Sequence, residues 1–545
     1  MKYIFLILIS IFICSFITYG QTAEEYVSRG LEKKNIDDYL GALEDFNLAI
    51  KANPKYSEAY FNKANIEVLE SNYDEAIVDF DSTIKYNPNK AEAFLARGRI
   101  RLINLEYYRG AISDFNKAVE IGLKNSELYK YRAKVKEKLK DYKGAVEDYT
   151  KAIEIKDGKD ITELYYQRAE LKYKLSDYPG SIEDYNKVIE TYPVNVSAYR
   201  QRGYAKSQIN DFVGSIEDLD RAINLDSNSS WVFNCRGHSK FVLKDYQGAI
   251  KDLNKAIELY SNYGLAYLNR GLAKENLDDF QGAIQDYTKA IDIDSSDSWA
   301  YNNRGYSKFN LKKYKEAIAD YTKAIEIDSK HPKAYYNRAF AKAMLDDFDG
   351  AVNDFTKLIE IDKNNSWAYN YRGFAKFNQK KYEEAILDYT KAIMIDTNHQ
   401  KAYYNRAVAK YHLKSNIESI NDFDTAIKVD SKNKYAYHDR ALVKSALDDS
   451  GGAINDFTKA IEIDNNYSSA YSNRGVEYAK NKNYKEAIVD LNKAIELNPN
   501  NGLILVQRGY VKLILDNIQD ACSDWSKAYK LGVEGINGMI NKFCK

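Results

Sequence analysis

The chain has no excess of charge of either sign, since its 545 residues include 79 lysines and arginines and 79 aspartates and glutamates. A general nucleic-acid surface needs a basic excess, so this balance argues against nucleic acid as a partner. Proline is scarce, with six residues, whereas there are 48 tyrosines. That combination fits an array of helices in which tyrosine is the interdigitating side chain.

The sequence also lacks the residue patterns of a catalytic site. It has no glycine loop that could cradle phosphate, no zinc-ligand cluster and no nucleophile elbow. The five histidines are scattered, and His331 and His399 occupy the same place in two duplicated stretches, which argues against a metal role. We therefore expect no catalytic residues, no cofactor and no bound metal.

Only one long apolar run is present, from Ile4 to Ile17, and it follows Lys2. Small residues stand at Thr18 and Gly20, before Gln21. This pattern is typical of a secretory signal peptide over residues 1–20, and the run is short for a full membrane span. The alternative is an uncleaved membrane anchor, which would be the only membrane contact. We expect a periplasmic, outer-surface or secreted protein.

A repeating unit fills almost all of the remaining chain, and the stretch from Ser298 to His331 shows it well. One helical stripe has the small residue Gly305 at its centre. A second stripe contains Ala317 and Tyr321 and follows a tight turn at 311–314. The unit is therefore predicted to be a pair of antiparallel helices. Such a pair cannot bury its apolar faces alone and must stack on copies of itself.

An arginine before the small residue sets the register from Arg29 to Arg508 and defines fifteen units, one of which has Lys63 instead. Twelve of the fourteen spacings are 34 residues. One extra residue falls near the turn at 107–108 and two fall around 156–159, where both helices of the unit stay intact.

We number each unit so that the small residue of its first helix is position 8, which is Gly or Ala in all fifteen units. Position 4 is aromatic in fourteen, position 20 is Ala or Ser, and position 24 is large, as in Phe46, Tyr321 and Trp525. Small residues let two helices approach closely, and large residues fill the gaps. Position 32 is proline in only four units.

A 34-residue helical hairpin with these landmarks resembles the tetratricopeptide repeat. The resemblance covers residues 22–535. It implies an all-α fold, a right-handed superhelix (an α-solenoid) of about fifteen hairpins. Residues 536–545 are predicted to form a capping helix, because Ile536, Met539, Ile540 and Phe543 make one apolar stripe.

Position 23 is aspartate in every unit and position 7 is arginine in fourteen of them. Folding the hairpin places these positions level with each other. We predict a ladder of arginine–aspartate pairs in which each arginine can reach the position-23 aspartates of two units. Near the end of the chain, Cys522 and Cys544 could form a disulfide that pins the cap, or they could be two unrelated thiols.

The resemblance also implies where a partner would bind, because positions 2, 5, 9, 12 and 13 of the first helices line the concave groove in this family. In the middle units these positions carry aromatic and amide side chains with a super-period of 68 residues. The predicted groove residues are Trp231, Asn234, Phe241, Trp299, Asn302, Tyr306, Phe309, Lys333, Tyr336, Trp367, Asn370, Phe374, Phe377, Lys401 and Tyr404.

Two interpretations of this pattern remain open. In the first, aromatic platforms and amides grip an extended peptide, an inserted helix or a glycan. In the second, duplication has copied a tryptophan that packs on the neighbouring hairpin. The carboxylate clamp of chaperone-binding family members is absent, because Lys130 at position 5 is followed by Lys134 at position 9 where the clamp has asparagine.

The resemblance therefore implies a non-catalytic, exported scaffold that binds a protein or peptide partner in its groove. The alternative is a carbohydrate-binding adaptor in polysaccharide export or surface attachment.

Overall fold

The computed structural model describes residues 21–155 and 160–544. In this part of the chain every regular element is a helix, and thirty-one α-helices and one short 3₁₀ helix follow each other without a strand. The predicted signal peptide lies outside the described residues, as does the second predicted insertion at 156–159. Contacts divide the chain into two units, Met1–Asn269 and Arg270–Lys545.

The helices pair in order, so that hairpin n consists of helices α(2n−1) and α(2n). Up to the boundary between the two units they are α1 Ala23–Asn35, α2 Tyr39–Ala52, α3 Ser57–Leu69, α4 Tyr73–Tyr86, α5 Ala91–Ile103, α6 Tyr108–Ile121, α7 Ser126–Lys138, α8 Tyr142–Ile155, α9 Thr162–Lys174, α10 Tyr178–Thr191, α11 Val196–Gln208, α12 Phe212–Leu225, α13 Ser230–Val242, α14 Tyr246–Leu259 and α15 Gly264–Glu275, which contains the boundary.

The second unit continues with the same alternation and ends in a short helix. Its members are α16 Phe280–Ile293, α17 Ser298–Asn310, α18 Tyr314–Ile327, α19 Pro332–Ala343, α20 Phe348–Ile361, α21 Ser366–Asn378, α22 Tyr382–Ile395, α23 Gln400–His412, α24 Asn416–Val429, α25 Lys434–Ala446, α26 Ser450–Ile463, α27 Ser468–Lys480, α28 Tyr484–Leu497, α29 Gly502–Ile514, α30 Ile518–Lys530 and, after the 3₁₀ helix Glu534–Ile536, α31 Asn537–Phe543. The prediction of an all-α array of helical hairpins is confirmed.

In each hairpin the two helices come closest where the small residue at position 8 contacts the large residue at position 24. A Cβ atom added at Gly305 would lie 2.8 Å from Cε1 of Tyr321, a ring that is fully buried. The core continues into the next hairpin, since Phe355 of α20 packs with Ala339 of α19 and with Ala375 of α21. Buried side chains are therefore shared between successive hairpins, which is how a stacked array buries faces that one hairpin cannot bury alone.

The turn inside each hairpin uses a left-handed residue that is not glycine. Lys312, for example, has φ of 60°. In eight hairpins an aspartate then caps the second helix by accepting a hydrogen bond from the glycine N–H three residues later. Asp347 accepts from Gly350 in this way at 2.9 Å. A Cβ at Gly350 would come within 2.2 Å of the Asp347 carboxylate, so a larger residue there would force the capping side chain to shift.

The predicted arginine–aspartate pairs are present in the hairpins. Arg304 donates from Nε and Nη2 to the two oxygens of Asp320, at 3.0 and 2.7 Å. Lys308, one turn further along α17, contacts the same carboxylate at 2.9 Å. Asp320 is buried, so this aspartate is held between two cations from the facing helix. The hydrogen bonds from Arg29 are the largest cause that lowers the pKa of the equivalent Asp45 below its usual value.

The second contact of each arginine differs from the prediction. It was expected at the position-23 aspartate of the preceding hairpin, but Nη1 of Arg304 donates to Oγ1 of Thr288 at 3.2 Å, which is position 25. That hydroxyl in turn donates to the carbonyl of Ile284 at 2.8 Å. The aspartate one hairpin before Arg304, Asp286, already contacts Arg270 and Lys274. Such an arginine therefore joins three helices.

Hairpin 2 departs from this pattern, because Lys63 stands in place of the arginine and Glu67 in place of the second cation. Lys63 contacts Asp79 at 2.7 Å and Glu67 at 3.2 Å. Burial, followed by the charge of Asp79, raises the pKa of Glu67 to about 7.

The end of the array is covered by α31. Ile536 is buried, and it packs with Trp525 and with the predicted stripe residues Met539, Ile540 and Phe543. Cys522 and Cys544 form a disulfide, which decides between the two alternatives left open for these cysteines. By covering Trp525, α31 shields the stacking face of the last hairpin from solvent.

The close contact at position 8 gives a first prediction. Gly305→Val should lower the free energy of unfolding by about 1–3 kcal/mol, because its branched side chain overpacks against Tyr321. Gly305→Ala is the matched control. Alanine occupies the same position in other hairpins, and its gain in helix propensity of about 1 kcal/mol offsets the crowding. Denaturant unfolding followed by circular dichroism measures both, and equal stability of the two variants would contradict the role assigned to this contact.

Candidate functional site

The candidate site is the first-helix face, which we define as positions 2, 5, 9, 12 and 13 of the first helices. The repeat places these positions on one side of each first helix because they recur at helical spacing. The other side carries the small residue and the arginine that hold the hairpin together. The structure shows that the five positions have different environments.

Trp299 and Trp367 at position 2 are half-exposed and contact the next hairpin. Trp299 lies 4.5 Å from the ring of His331, and Nζ of Lys333 sits 5.2 Å from its ring centre. Trp367 repeats this arrangement with His399 at 4.4 Å and Lys401 at 5.4 Å. The two indoles keep 47% and 43% of their surface exposed. Both interpretations of the tryptophans thus find support, because the rings pack on a neighbour and also present a free part to solvent.

The asparagines at position 5 are buried instead of lining an open surface. Asn302 accepts at Oδ1 a hydrogen bond of 3.0 Å from Asn337 of the next first helix, and Asn370 does the same with Asn405. Asn234 accepts from Asn269 at 3.0 Å in the first unit. These amides therefore join successive hairpins. Their proposed role as contacts to a ligand stays a prediction that the geometry does not favour.

The aromatic residues at position 12 also face inward. Phe309 packs edge-on against Tyr314 with ring centres 5.2 Å apart, and Phe377 packs in a tilted arrangement against Tyr382 at the same distance. Phe241 lies 5.7 Å from Tyr246. In each case the partner is the first residue of the second helix, so position 12 closes the hairpin turn.

Two predicted tyrosines at position 5 belong to side-chain clusters. Tyr336 packs on Phe340 at 4.7 Å and on Tyr371 at 5.7 Å. Tyr404 donates a hydrogen bond of 2.6 Å from its hydroxyl to Asp439. Both are half-buried. By contrast, Tyr306 at position 9 is exposed.

An open apolar pocket lies between α19 and α21. Its volume is about 280 Å³, and its lining includes the predicted residue Phe374 together with Phe340, Met344, Tyr371 and Asn378. Met344 and Phe374 are 53% and 47% exposed. Asn378 donates to the carbonyl of Phe374 at 2.8 Å and places its amide at the polar edge of the pocket.

The first unit has a counterpart of similar size around Trp231. A cavity of about 270 Å³ is lined by Trp231, Asn234, Tyr204, His238 and Cys235 among others. Trp231 contacts Tyr204 edge-on at 5.2 Å and the guanidinium of Arg200 at 5.7 Å. Burial raises the pKa of the Cys235 thiol to about 12, so this free cysteine stays protonated and unreactive near neutral pH.

The residues that the sequence interpretation missed are the partners contributed by the next hairpin. His331 and His399 cover the tryptophans, Asn337 and Asn405 complete the buried amide pairs, and Met344 lines the pocket. The duplicated stretches around 331–339 and 399–407 were the available signal, because they repeat with the same 68-residue period as the tryptophans and asparagines.

Within residues 21–155 and 160–544, no helix combines the length and apolar character that a membrane span needs. The same residues contain no group of three or more His, Cys, Asp or Glu side chains placed to hold a metal ion.

Family models of the tetratricopeptide repeat match residues 29–82, 132–158, 265–297, 298–331, 332–365, 366–399, 435–467 and 468–501. Together these matches span about half of the sequence. The chain belongs to the tetratricopeptide repeat family.

Among curated proteins, the uncharacterized protein MJ0572 of Methanocaldococcus jannaschii is 46% identical over 53 residues, which are 10% of this chain. The match spans 62% of that relative's own length.

Three solved structures show further likeness. The APC/C hetero-tetramer Cut9–Hcn1 has a TM-score of 0.37 at 13% identity, covering 84% of this chain and 96% of the other. Yeast Tom70 has 0.35 at 20% identity, covering 75% and 92%. MamA has 0.29 at 29% identity, covering 30% and 96%. All three TM-scores are below 0.5, so the family assignment rests on the repeat matches.

The histidines that cover the tryptophans give a pH prediction. His331 caps α19 by accepting at Nδ1 from the N–H of Ala334 at 3.3 Å, and His399 caps α23 in the same way. Burial lowers the pKa of both histidines. The neutral ring is therefore favoured in the folded state. The neutral rings thus contribute to the free energy of unfolding. This contribution is fully present above the unfolded-state pKa of about 6.5, and it is lost as the pH falls from there through the lowered pKa of the folded state.

When the pH is lowered below about 6.5, the melting temperature of the double variant His331→Asn/His399→Asn should decrease less than that of the wild type. Asparagine caps equivalent helices in this chain, at Asn365 and Asn433, and it accepts the same bond at every pH. Thermal melting at several pH values provides the measurement. Parallel pH dependence in the two proteins would show that these histidines do not carry the effect.

Proposed function

We propose that this protein is a non-catalytic scaffold that binds a peptide segment of a protein partner on the first-helix face of hairpins 10 and 11. The observation that carries the proposal is the open apolar pocket with Met344 and Phe374 at its edge. Ligand pockets for whole small molecules range from about 300 to 1,000 Å³. The pocket is at the lower limit of that range, so it suits one large apolar side chain of a peptide.

The pocket is built to be rigid before a partner arrives. Phe340 packs on Tyr371 at 4.7 Å, and Phe355 stacks on Tyr371 at 5.9 Å. Because these rings are fixed by the core of the hairpins, an incoming side chain meets a preformed surface and little ordering cost arises. Burying a Leu, Met or Phe side chain there would contribute about 1.5–3 kcal/mol.

A glycan is the second candidate, and the geometry supports it less. Half-exposed Trp299 and Trp367 offer stacking platforms. However, Asn302 and Asn370, which would have to bind sugar hydroxyls beside them, are buried and use Oδ1 within the array. A binding site for sugars needs polar groups that remain free.

Peptide selection from a random display library, followed by affinity measurement on the full chain, tests the proposal. Selected peptides should carry a large apolar residue, and Met344→Ala/Phe374→Ala should weaken their binding about tenfold or more, since two walls of the pocket are removed. The matched control is Leu387→Ala/Met394→Ala, two residues of α22 that are each 70% exposed.

The control variant should bind like the wild type. The proposal fails if no peptide is enriched, or if the selected peptides bind the Met344→Ala/Phe374→Ala variant as tightly as the wild type.

Export from the cytoplasm is part of the same proposal. Its support is the amino-terminal pattern before Gln21 and the disulfide between Cys522 and Cys544, since disulfides persist in oxidising compartments. Fractionation of the source cells with amino-terminal sequencing tests it, and the mature chain should begin at Gln21 outside the cytoplasm. A cytoplasmic protein that keeps Met1 would contradict export, and a membrane-bound one would favour the anchor.

A further inference from the structure

A second open groove lies in the first unit, on the first helices of hairpins 3 to 5. Its volume is about 540 Å³. Leu102, Ile103, Tyr131 and Tyr142 form its apolar walls. Its polar lining is mostly basic and includes Lys134, Lys138, Lys140 and Lys174.

These lysines differ from the cations that hold the repeat together. The structural cations of the same hairpin are Arg132 and Lys136, and both pair with the buried Asp148. Lys134, Lys138 and Lys140 are exposed and form no ion pair with any described residue. Their charge is therefore not needed for stacking. At position 9, where hairpin 4 has Lys134, hairpins 9 to 11 carry the aromatic residues Tyr306, Phe340 and Phe374.

The remaining charges of the groove are largely paired. Lys174 contacts Glu137 at 3.3 Å and also lies 5.4 Å from the ring centre of Tyr142. Arg99 of α5 contacts Glu127 at 3.6 Å. Glu163 of α9 accepts from the neutral amide of Gln167 at 2.7 Å and keeps its own charge. The three exposed lysines therefore outnumber this carboxylate and leave an excess of positive charge beside an apolar wall.

We propose that this groove binds an acidic peptide segment that carries an apolar residue between its carboxylates. Charge complementarity selects the occupant, because unpaired ammonium groups attract carboxylates and raise the rate of encounter. The apolar walls supply a place for one aromatic or aliphatic side chain. Glu137 lies among the lysines and would repel a continuous polyanion, whereas a peptide can space its carboxylates around it. The chain as a whole has no basic excess.

This groove is separate from the pocket between α19 and α21, and the proposal holds whether or not that pocket binds a peptide. It also differs from the carboxylate clamp, because it requires lysines at positions 9 and 13 and no asparagine.

Fluorescence polarisation with three sets of labelled peptides tests the proposal on the full chain. The sets share their apolar residues and carry glutamate, glutamine or lysine at the remaining positions. The glutamate set should bind, and its affinity should fall as salt is raised, because exposed charges are screened over about 10 Å at moderate ionic strength. Equal binding of the glutamine set, or no binding of the glutamate set, would overturn the proposal.

Lys134→Glu/Lys138→Glu should weaken binding of the glutamate peptides by about tenfold or more, because it reverses two of the three free charges. The matched control Lys124→Glu/Lys143→Glu reverses two exposed lysines outside the groove and should bind like the wild type. Both variants should keep the wild-type circular dichroism and melting temperature. If the first variant does not fold, Lys134→Gln/Lys138→Gln replaces it with the same expected direction.

Two further measurements distinguish an acidic-peptide groove from a general polyanion site and from the pocket between α19 and α21. Duplex RNA and heparin are added as competitors, and tighter binding of either than of the glutamate peptides would replace the proposal with a polyanion site. Met344→Ala/Phe374→Ala should leave the glutamate peptides bound, so failure of this proposal and failure of the proposed function give different results.

Discussion

The structure depends on a buried aspartate that recurs once in every hairpin. In hairpin 10 this is Asp354, which accepts two hydrogen bonds from Arg338, at 2.9 and 2.6 Å, and contacts Lys342 at 2.9 Å. Arg338 also donates to Thr322 of the preceding hairpin at 3.1 Å. A buried charge is tolerated only when it is paired and hydrogen-bonded, so the second helix can take only the register that brings its aspartate to both cations. The interaction fixes register and at the same time links neighbouring hairpins.

This constraint explains where function can reside. Positions 7, 8, 11, 23 and 24 are committed to the aspartate with its two cations and to the contact between small and large residues. The structure adds position 5, through the amide pairs of Asn302 and Asn370, and position 12, through Phe309 and Phe377. What remains free along the first helices is mainly positions 2, 9 and 13. Positions 9 and 13 carry Phe340, Met344 and Phe374 around α19 and α21, whereas α7 has Lys134 and Lys138 there, so one architecture carries two surfaces of different chemistry.

Much of this could be predicted from the sequence, because the repeat samples each position fifteen times. The hairpins, the pairing of positions 7 and 23 and the stripe of α31 follow from periodicity alone. The second partner of each arginine could not be predicted this way, because it depends on the path of the guanidinium after both carboxylate oxygens are occupied. The burial of Asn302 was also hidden, since its partner Asn337 lies 35 residues away on a neighbouring helix. The sequence similarly left the disulfide undecided, because only the position of α31 brings Cys544 to Cys522.

The most direct test of the buried aspartate is native-state hydrogen exchange on Asp354→Asn. The amide keeps the shape of the side chain but presents N–H groups to Arg338 and Lys342, and breaking a buried pair costs about 3–5 kcal/mol. If the aspartate links hairpins, protection should fall in α19 and α20 and also in α18, whose Thr322 is held by Arg338. A loss of protection confined to α20, or no loss at all, would contradict this role.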